Sequence, residues 1–192
     1  MPTPNHAALD FLQTRRSRPA KTLIAPGPTR DALMPLLTAA ARSPDHGKLE
    51  PWRFIVIGAE AMPRLAEAAQ SHAQSAGLDA VESDKARAQF DQGHLAVAVI
   101  EVQKPSDKVP PIEQSYCAGG VCLALLNAAL AAGWGANWLS GFAAHDRGFA
   151  RTELGLADHE RVAGFIHIAT ETRAPSDRPR PAPEEITTWL SA

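Results

Sequence analysis

Cysteine is scarce in this 192-residue chain: there are two, Cys117 and Cys122. Their spacing is neither C-x-x-C nor that of a zinc pair, and on a helix it puts them on different faces. A redox dithiol, a zinc clip and a mutual disulfide are all disfavoured, and two buried thiols in a reducing compartment are expected. Excess charge is missing as well. Nineteen Lys and Arg stand against 21 Asp and Glu, a net charge of -2, which argues against a dedicated nucleic-acid binder. No strand-like run ends in G-x-G-x-x-G, and G-x-x-x-x-G-K-[ST] is absent, so the Rossmann and P-loop signatures are excluded. His72, His94, His145, His159 and His167 form no ligand-spaced set, so no metal site is expected, and no Ser/His/Asp constellation stands out. The opening MPTPNHAALDF has no basic segment followed by an apolar run. No signal peptide is expected, and the expected location is the cytoplasm.

One absence cuts the other way. From Ser115 to His145 there is no Asp, Glu, Lys or Arg, a stretch long enough to span a bilayer. Alanine dominates it, Asn127 and Asn137 interrupt it, and Gly133 and Gly135 break it. It reads instead as a helix over Ser115–Ala132, apolar on nearly all sides and buried at the protein's centre. Such a helix is too apolar for the surface of a lone protomer, so a homodimer is expected.

Apolar residues make up 45% of the chain, enough for a substantial core, and the length fits one domain over residues 1–192. Helices are expected at His6–Thr14, from Arg30 behind an N-cap at Thr29, at Ala61–Ala76 and at Ala80–Gln92, with a short one in DRGFARTELG. Pro35 should kink the second helix or shift its start. Strands are expected at Trp52–Ile57, at the nearly continuous apolar run Leu95–Val102, in WGANWL and at Arg161–Thr170. Residues 175–192 read as an extended tail rich in proline and charge. About four strands alternate with five or six helices, which indicates an α+β fold with a mixed sheet.

The basic stretch FLQTRRSRPAKTL poses the functional question. Arg15, Arg16, Arg18 and Lys21 bring four cations into seven positions of a nearly neutral protein. Such a run is usually a solvated face, but it otherwise calls for an anion.

The arrangement of Arg15-Arg16-Ser17 behind a short helix, then Ala40-Ala41, Ser43-Pro44 and Pro51-Trp52 leading into a strand, resembles the nitroreductase family. The central apolar helix and VAGFIHIAT sit in the matching places, so the resemblance covers nearly the whole chain. The PDH in the loop is similar to the small NAD(P)H nitroreductase branch. The resemblance implies an α+β flavoprotein with a mainly antiparallel central sheet flanked by helices. It also implies an intertwined homodimer with FMN at the subunit interface. Arg15 and Ser17 would bind the FMN phosphate, with Arg16 beside the ribityl chain or ring. From the tail Arg180 would return to the phosphate, with Arg178 as second choice. Arg42 and His46 would reach the FMN of the other subunit, where His46 could donate to a flavin carbonyl. Trp138, Leu139 and Ser140 would lie against the flavin, with a backbone N–H facing N5.

Two departures stand out. Glu50 occupies the place of the usual Gln before Pro-Trp. Pro19 stands where the family often has a cation near flavin N1, leaving Arg18, Lys21 or Lys48 as substitutes. The implied activity is NAD(P)H-dependent, ping-pong reduction of nitroaromatics, quinones or similar small acceptors, with the flavin carrying the chemistry. Nucleic acid and membrane are not expected partners. Other flavin chemistry on the same fold, or a non-enzymatic flavin binder, are the competing readings.

Overall fold

β3 (Leu95–Val102) is buried along its whole length, and it organises everything around it. The computed structural model describes residues 3–190. In chain order its elements are α1 (His6–Thr14), β1 (Leu23–Ile24), α2 (Arg30–Ala40), β2 (Trp52–Gly58), α3 (Met62–Ser75), α4 (Ala80–Asp91), β3, α5 (Pro111–Ala131), β4 (Gly135–Leu139), α6 (Gly141–His145), α7 (Arg147–Leu154) and β5 (Glu160–Glu171). The five strands form one antiparallel sheet. β3 lies between β2 and β5, and β5 also pairs with β4 and, at its far end, with β1. The expected α+β class and mainly antiparallel sheet are what is found.

The pleat sends alternate β3 residues to opposite faces. Ala96, Ala98 and Ile100 join a core with α3, α4, α6 and α7, where Phe90 stacks on Phe149 and meets Phe165 edge-on. Val97 and Val99 join a second core with α2 and α5. β5 changes parity along its length: Val162 and Phe165 serve the first core, Ile166 and Ile168 the second. A bulge resolves the mismatch. Val99 pairs with Gly164 and Ile100 with Val162, so Ala163 is the extra residue that flips the face.

The structure departs from the sequence reading in several places. Two short elements, the two-residue β1 and the five-residue α6, bring the described residues to five strands and seven α-helices. Thr29 does cap α2, so Pro35 sits inside the helix without moving its start. The central helix begins at Pro111, not Ser115, because Pro110 and Pro111 with Glu113 make a favourable first turn. Nor is it buried on all sides. One face packs Val121, Cys122, Leu125 and Ala129 under the sheet, while Ile112, Tyr116 and Leu123 are exposed on the other. Cys122 is buried, and desolvation pushes its thiol up to about 12. Cys117 is only half-buried, with its Sγ 3.0 Å from the Pro44 carbonyl. The tail from Pro175 to Leu190 forms no α-helix or strand and has one 3-10 turn at Pro183–Glu185, and residues 191 and 192 lie outside the described residues.

Candidate functional site

α1 stops at Thr14, and Arg15 turns extended with its N–H on the Phe11 carbonyl. The irregular segment that follows is tied to β4 where the Arg18 N–H donates to the Ala136 carbonyl at 2.8 Å. This pulls three arginines against the sheet edge. Arg15 Nη2 donates to Ser17 Oγ at 2.9 Å. Arg18 Nε lies 2.8 Å from Glu171 Oε2. Arg16 Nη1 donates to Asp177 Oδ1 at 3.2 Å and to the Ser176 carbonyl, which draws the tail in. The result is a cleft of about 450 Å³, walled by Phe11, Leu130, Trp134 and Pro175 as well as the arginines.

The charges in this cleft do not balance. Glu171 and Asp177 answer Arg18 and Arg16. Among the described residues Arg15 has no carboxylate partner, and its Nε is buried with no hydrogen bond at all. Its guanidinium is pulled below its ordinary pKa by burial first, and then by Arg180, Arg16 and Arg18. A buried donor without a partner costs about 1–3 kcal/mol. The tail thus brings Arg180 into the field of Arg15. Arg178 uses its backbone N–H on Asp177 Oδ1, at 2.7 Å. A planar cation with a free buried N–H, crowded by like charges, suits a doubly charged phosphate oxyanion.

β4 leads away from this cluster. Ala136 sits beside Arg18, and Ser140 comes four residues later, roughly 13 Å along a strand. Trp138 is 37% exposed, so it is not plain core. Its indole lies over Gly164, where an added Cβ would fall 2.0 Å from Trp138 Nε1. Leu139 pairs with Phe165 and is half-buried. Ser140 leaves the strand, and its carbonyl accepts from Gln89 Nε2 at 3.1 Å.

Arg42 and His46 lie elsewhere. Arg42 is exposed after α2. His46 Nδ1 lies 2.8 Å from Glu113 Oε2, in a hollow of about 400 Å³ shared with Pro44, Tyr116 and Cys117. Glu113 is in the first turn of α5, whereas the arginine cleft touches Leu130 and Gly133 at its other end. Seventeen residues of helix separate Glu113 from Leu130, roughly 25 Å. The predicted residues thus fall into two groups within one chain. Lys48 and Glu50, in the His46 loop, both hold left-handed backbone, at φ 54° and 47°. The Glu50 N–H is held by Asp45 Oδ2 at 2.6 Å. Of the three candidate cations, Arg18 belongs to the arginine cleft, Lys48 to the His46 loop, and Lys21 to an exposed turn.

A larger cleft of about 850 Å³ opens at the other end of the sheet. Its charges answer one another. Arg161 Nε meets Glu101 Oε2 at 2.5 Å, and Arg53 Nε meets Glu160 Oε1 at 2.6 Å. The Arg53 hydrogen bond holds the Glu160 carboxyl down at about 2. Burial pushes Glu101 up, but hydrogen bonds from Arg161, Gln103 and Ser115 outweigh it and leave Glu101 below the usual range. This cleft has the volume but not the unanswered charge.

A family model described as "Nitroreductase family" matches residues 12–170. The chain belongs to the nitroreductase family. The matched span carries Arg15–Ser17, the His46 loop and Trp138–Ser140, and ends before Arg180. Among nitroreductase relatives, the chain is 33% identical over 184 residues to "Putative NAD(P)H nitroreductase YdjA" of Escherichia coli (strain K12), covering 95% of this chain and 99% of that one. In fold it is similar to the nitroreductase-like family protein from Bacillus cereus, with a TM-score of 0.81, 22% identity and full coverage of both chains. It is also similar to the "putative nitroreductase in complex with fmn" from Desulfovibrio desulfuricans, with a TM-score of 0.72, 19% identity, and coverage of 99% and 100%.

Sequence reasoning missed Gln89, Glu171 and Asp177. Each is a lone polar residue whose partner is distant in the chain, so no local pattern marks it.

Proposed function

We propose that this nitroreductase-family protein is an FMN-dependent oxidoreductase that acts as a homodimer, taking electrons from NADH or NADPH. The observation that carries the reading is the buried, unpartnered Arg15 Nε in a cleft with surplus guanidinium charge. When bound, FMN supplies hydride chemistry between the nicotinamide donor and a small electron-poor acceptor such as a nitroaromatic or a quinone. The chain's own part is to hold and orient. Arg15, Ser17 and Arg180 bind the phosphate, and Arg16 flanks the ribityl side. The run from Ala136 along β4 to Ser140 just beyond it suits a cofactor with phosphate at one end and ring at the other. Trp138, Leu139 and Ser140 then face the ring, and a backbone N–H at the strand end is directed at N5.

Arg42 and His46 of each chain serve the site of the other. Two observations support this. Most of the length of α5 lies between them and the Arg15 cleft, and the face of α5 that carries Tyr116 and Leu123 is apolar and exposed in one chain. Two copies of α5 packed antiparallel on that face would bring each His46 loop to the other chain's arginine cleft. The relative named as an NAD(P)H nitroreductase and the FMN complex of the Desulfovibrio protein agree with the assignment of donor and cofactor.

The experiment is direct. The purified protein should be yellow, should release FMN on denaturation, and should oxidise NADH or NADPH steadily when a quinone or nitroaromatic is added. A colourless protein that takes up no added FMN would overturn the proposal. FMN binding with no NAD(P)H oxidation would leave a flavin binder and remove the enzyme.

A further inference from the structure

The Ser140 carbonyl, where β4 ends, is held rather than left to water. Gln89, in the last turn of α4, donates its side-chain amide to that carbonyl at 3.1 Å. The chain turns sharply here: Ser140 has φ -121° and ψ -70°, and Gly141 has φ 56°. An added Cβ at Gly141 would lie 2.7 Å from Gln89 Oε1. Only glycine accepts both the left-handed backbone and so close an approach without strain. Among the described residues the one cis peptide is Ala25–Pro26, so Ser140–Gly141 is trans. The C=O and N–H of a trans peptide point in opposite directions. A Ser140 carbonyl fixed toward α4 therefore fixes the Gly141 N–H away from α4. Among the described residues that N–H has no hydrogen-bond partner.

We infer that Gln89 is a positioning residue that sets the direction of the Ser140–Gly141 peptide, so that the Gly141 N–H stands ready for an acceptor nitrogen of a bound aromatic heterocycle. The inference rests on the flavin-facing reading of Trp138–Ser140 given above. Glycine makes the bond necessary. The freedom that lets residue 141 adopt φ 56° also lets the peptide flip. A flip would turn the carbonyl oxygen toward the ligand in place of the donor, setting lone pair against lone pair. The Gln89 amide selects one of these two orientations from outside the ligand's reach, so its effect passes entirely through the backbone.

The test reads the peptide and the ligand separately. Gln89→Leu removes the donor from a half-buried helical position that tolerates leucine, and Gln89→Glu keeps the shape but cannot donate. In the apoprotein, the Ser140 carbonyl 13C resonance should move upfield in both. With FMN labelled with 15N at N5, the bound N5 resonance should move downfield in both variants as its hydrogen bond is lost. Gln89→Lys, which restores a donor, should return it toward the wild-type position. FMN affinity should fall by no more than about tenfold, because the phosphate contacts are untouched. An unmoved carbonyl resonance means that the bond is absent in solution, and the proposal falls. An unmoved N5 resonance with FMN bound removes the role of Gln89 and leaves the flavin reading standing. Failure of the wild type to bind FMN overturns both.

Discussion

Replacing Arg15 by alanine should separate the phosphate from the rest of the cofactor. Among the described residues this side chain makes one hydrogen bond, to Ser17 Oγ at 2.9 Å, and its Nε makes none. Burial lowers its pKa first, and repulsion from Arg180, Arg16 and Arg18 lowers it further. The apoprotein therefore loses one hydrogen bond, about 1–2 kcal/mol for a half-buried guanidinium, and relief of like-charge crowding and of the unpartnered buried Nε offsets it. Its melting temperature should hold or rise. FMN binding behaves oppositely. A hydrogen bond to a charged group contributes about 1.5–3 kcal/mol, and its loss corresponds to roughly 10- to 150-fold weaker binding. Riboflavin has the same ring and ribityl chain without the phosphate, so its affinity should be equal in wild type and Arg15→Ala. Flavin fluorescence titrations of the two apoproteins with each ligand give the four constants. Unchanged FMN affinity would refute the phosphate assignment. Equal weakening of FMN and riboflavin would show that Arg15 acts on the ring or the fold instead.

Three further outcomes follow from the geometry. His167 is buried, its Nε2 has no partner, and desolvation lowers its pKa to about 4, against roughly 6.5 unfolded. Protonation thus favours unfolding, so stability is full above pH 6.5 and declines toward pH 4, by up to about 3 kcal/mol. Urea titrations from pH 6.5 to 4.5, above the range of the lowered carboxylates Glu101 and Glu160, should show that slope in wild type and a flatter one in His167→Leu. An unchanged slope would count against it. Gly164→Ala places a Cβ 2.0 Å from Trp138 Nε1, so the indole must leave the sheet. A loss of about 1–3 kcal/mol, with altered tryptophan emission, is expected. Finally, Arg15→Ala and His46→Ala protomers, each weak alone, should regain FMN on mixing, because one site of the heterodimer then carries both lesions and the other none. No gain, with heterodimers verified by mass, would place both groups in one chain's site.

Much of this was legible in the chain itself. β2, β3 and β5 are apolar runs bounded by turn residues; the unbroken run of β3 signalled burial on both faces, whereas β2 is an edge strand that leaves Val56 exposed. The bulge at Ala163 was not legible, since an extra residue shows only against its partner strand. The start of α5 was lost because the charge-free stretch that marks the helix begins only at Ser115, although Pro111 at a first helical position is a start signal. At the site, Arg15–Ser17 stood out through charge in a near-neutral protein. The family resemblance, rather than any spacing rule, connected it to Arg180 and Trp138. Glu171, Asp177 and Gln89 stayed hidden because single polar residues acquire partners only when the chain has folded.

The roughly 25 Å of helix between the Arg15 cleft and the His46 hollow has a thermodynamic consequence. A ligand too short to bridge that length can touch both only by joining two chains. Its binding and their association then share one equilibrium, governed by mass action. Dilution should weaken FMN affinity, saturating FMN should hold dimers together at protein concentrations where the apoprotein dissociates, and a cell poor in flavin would hold fewer assembled copies.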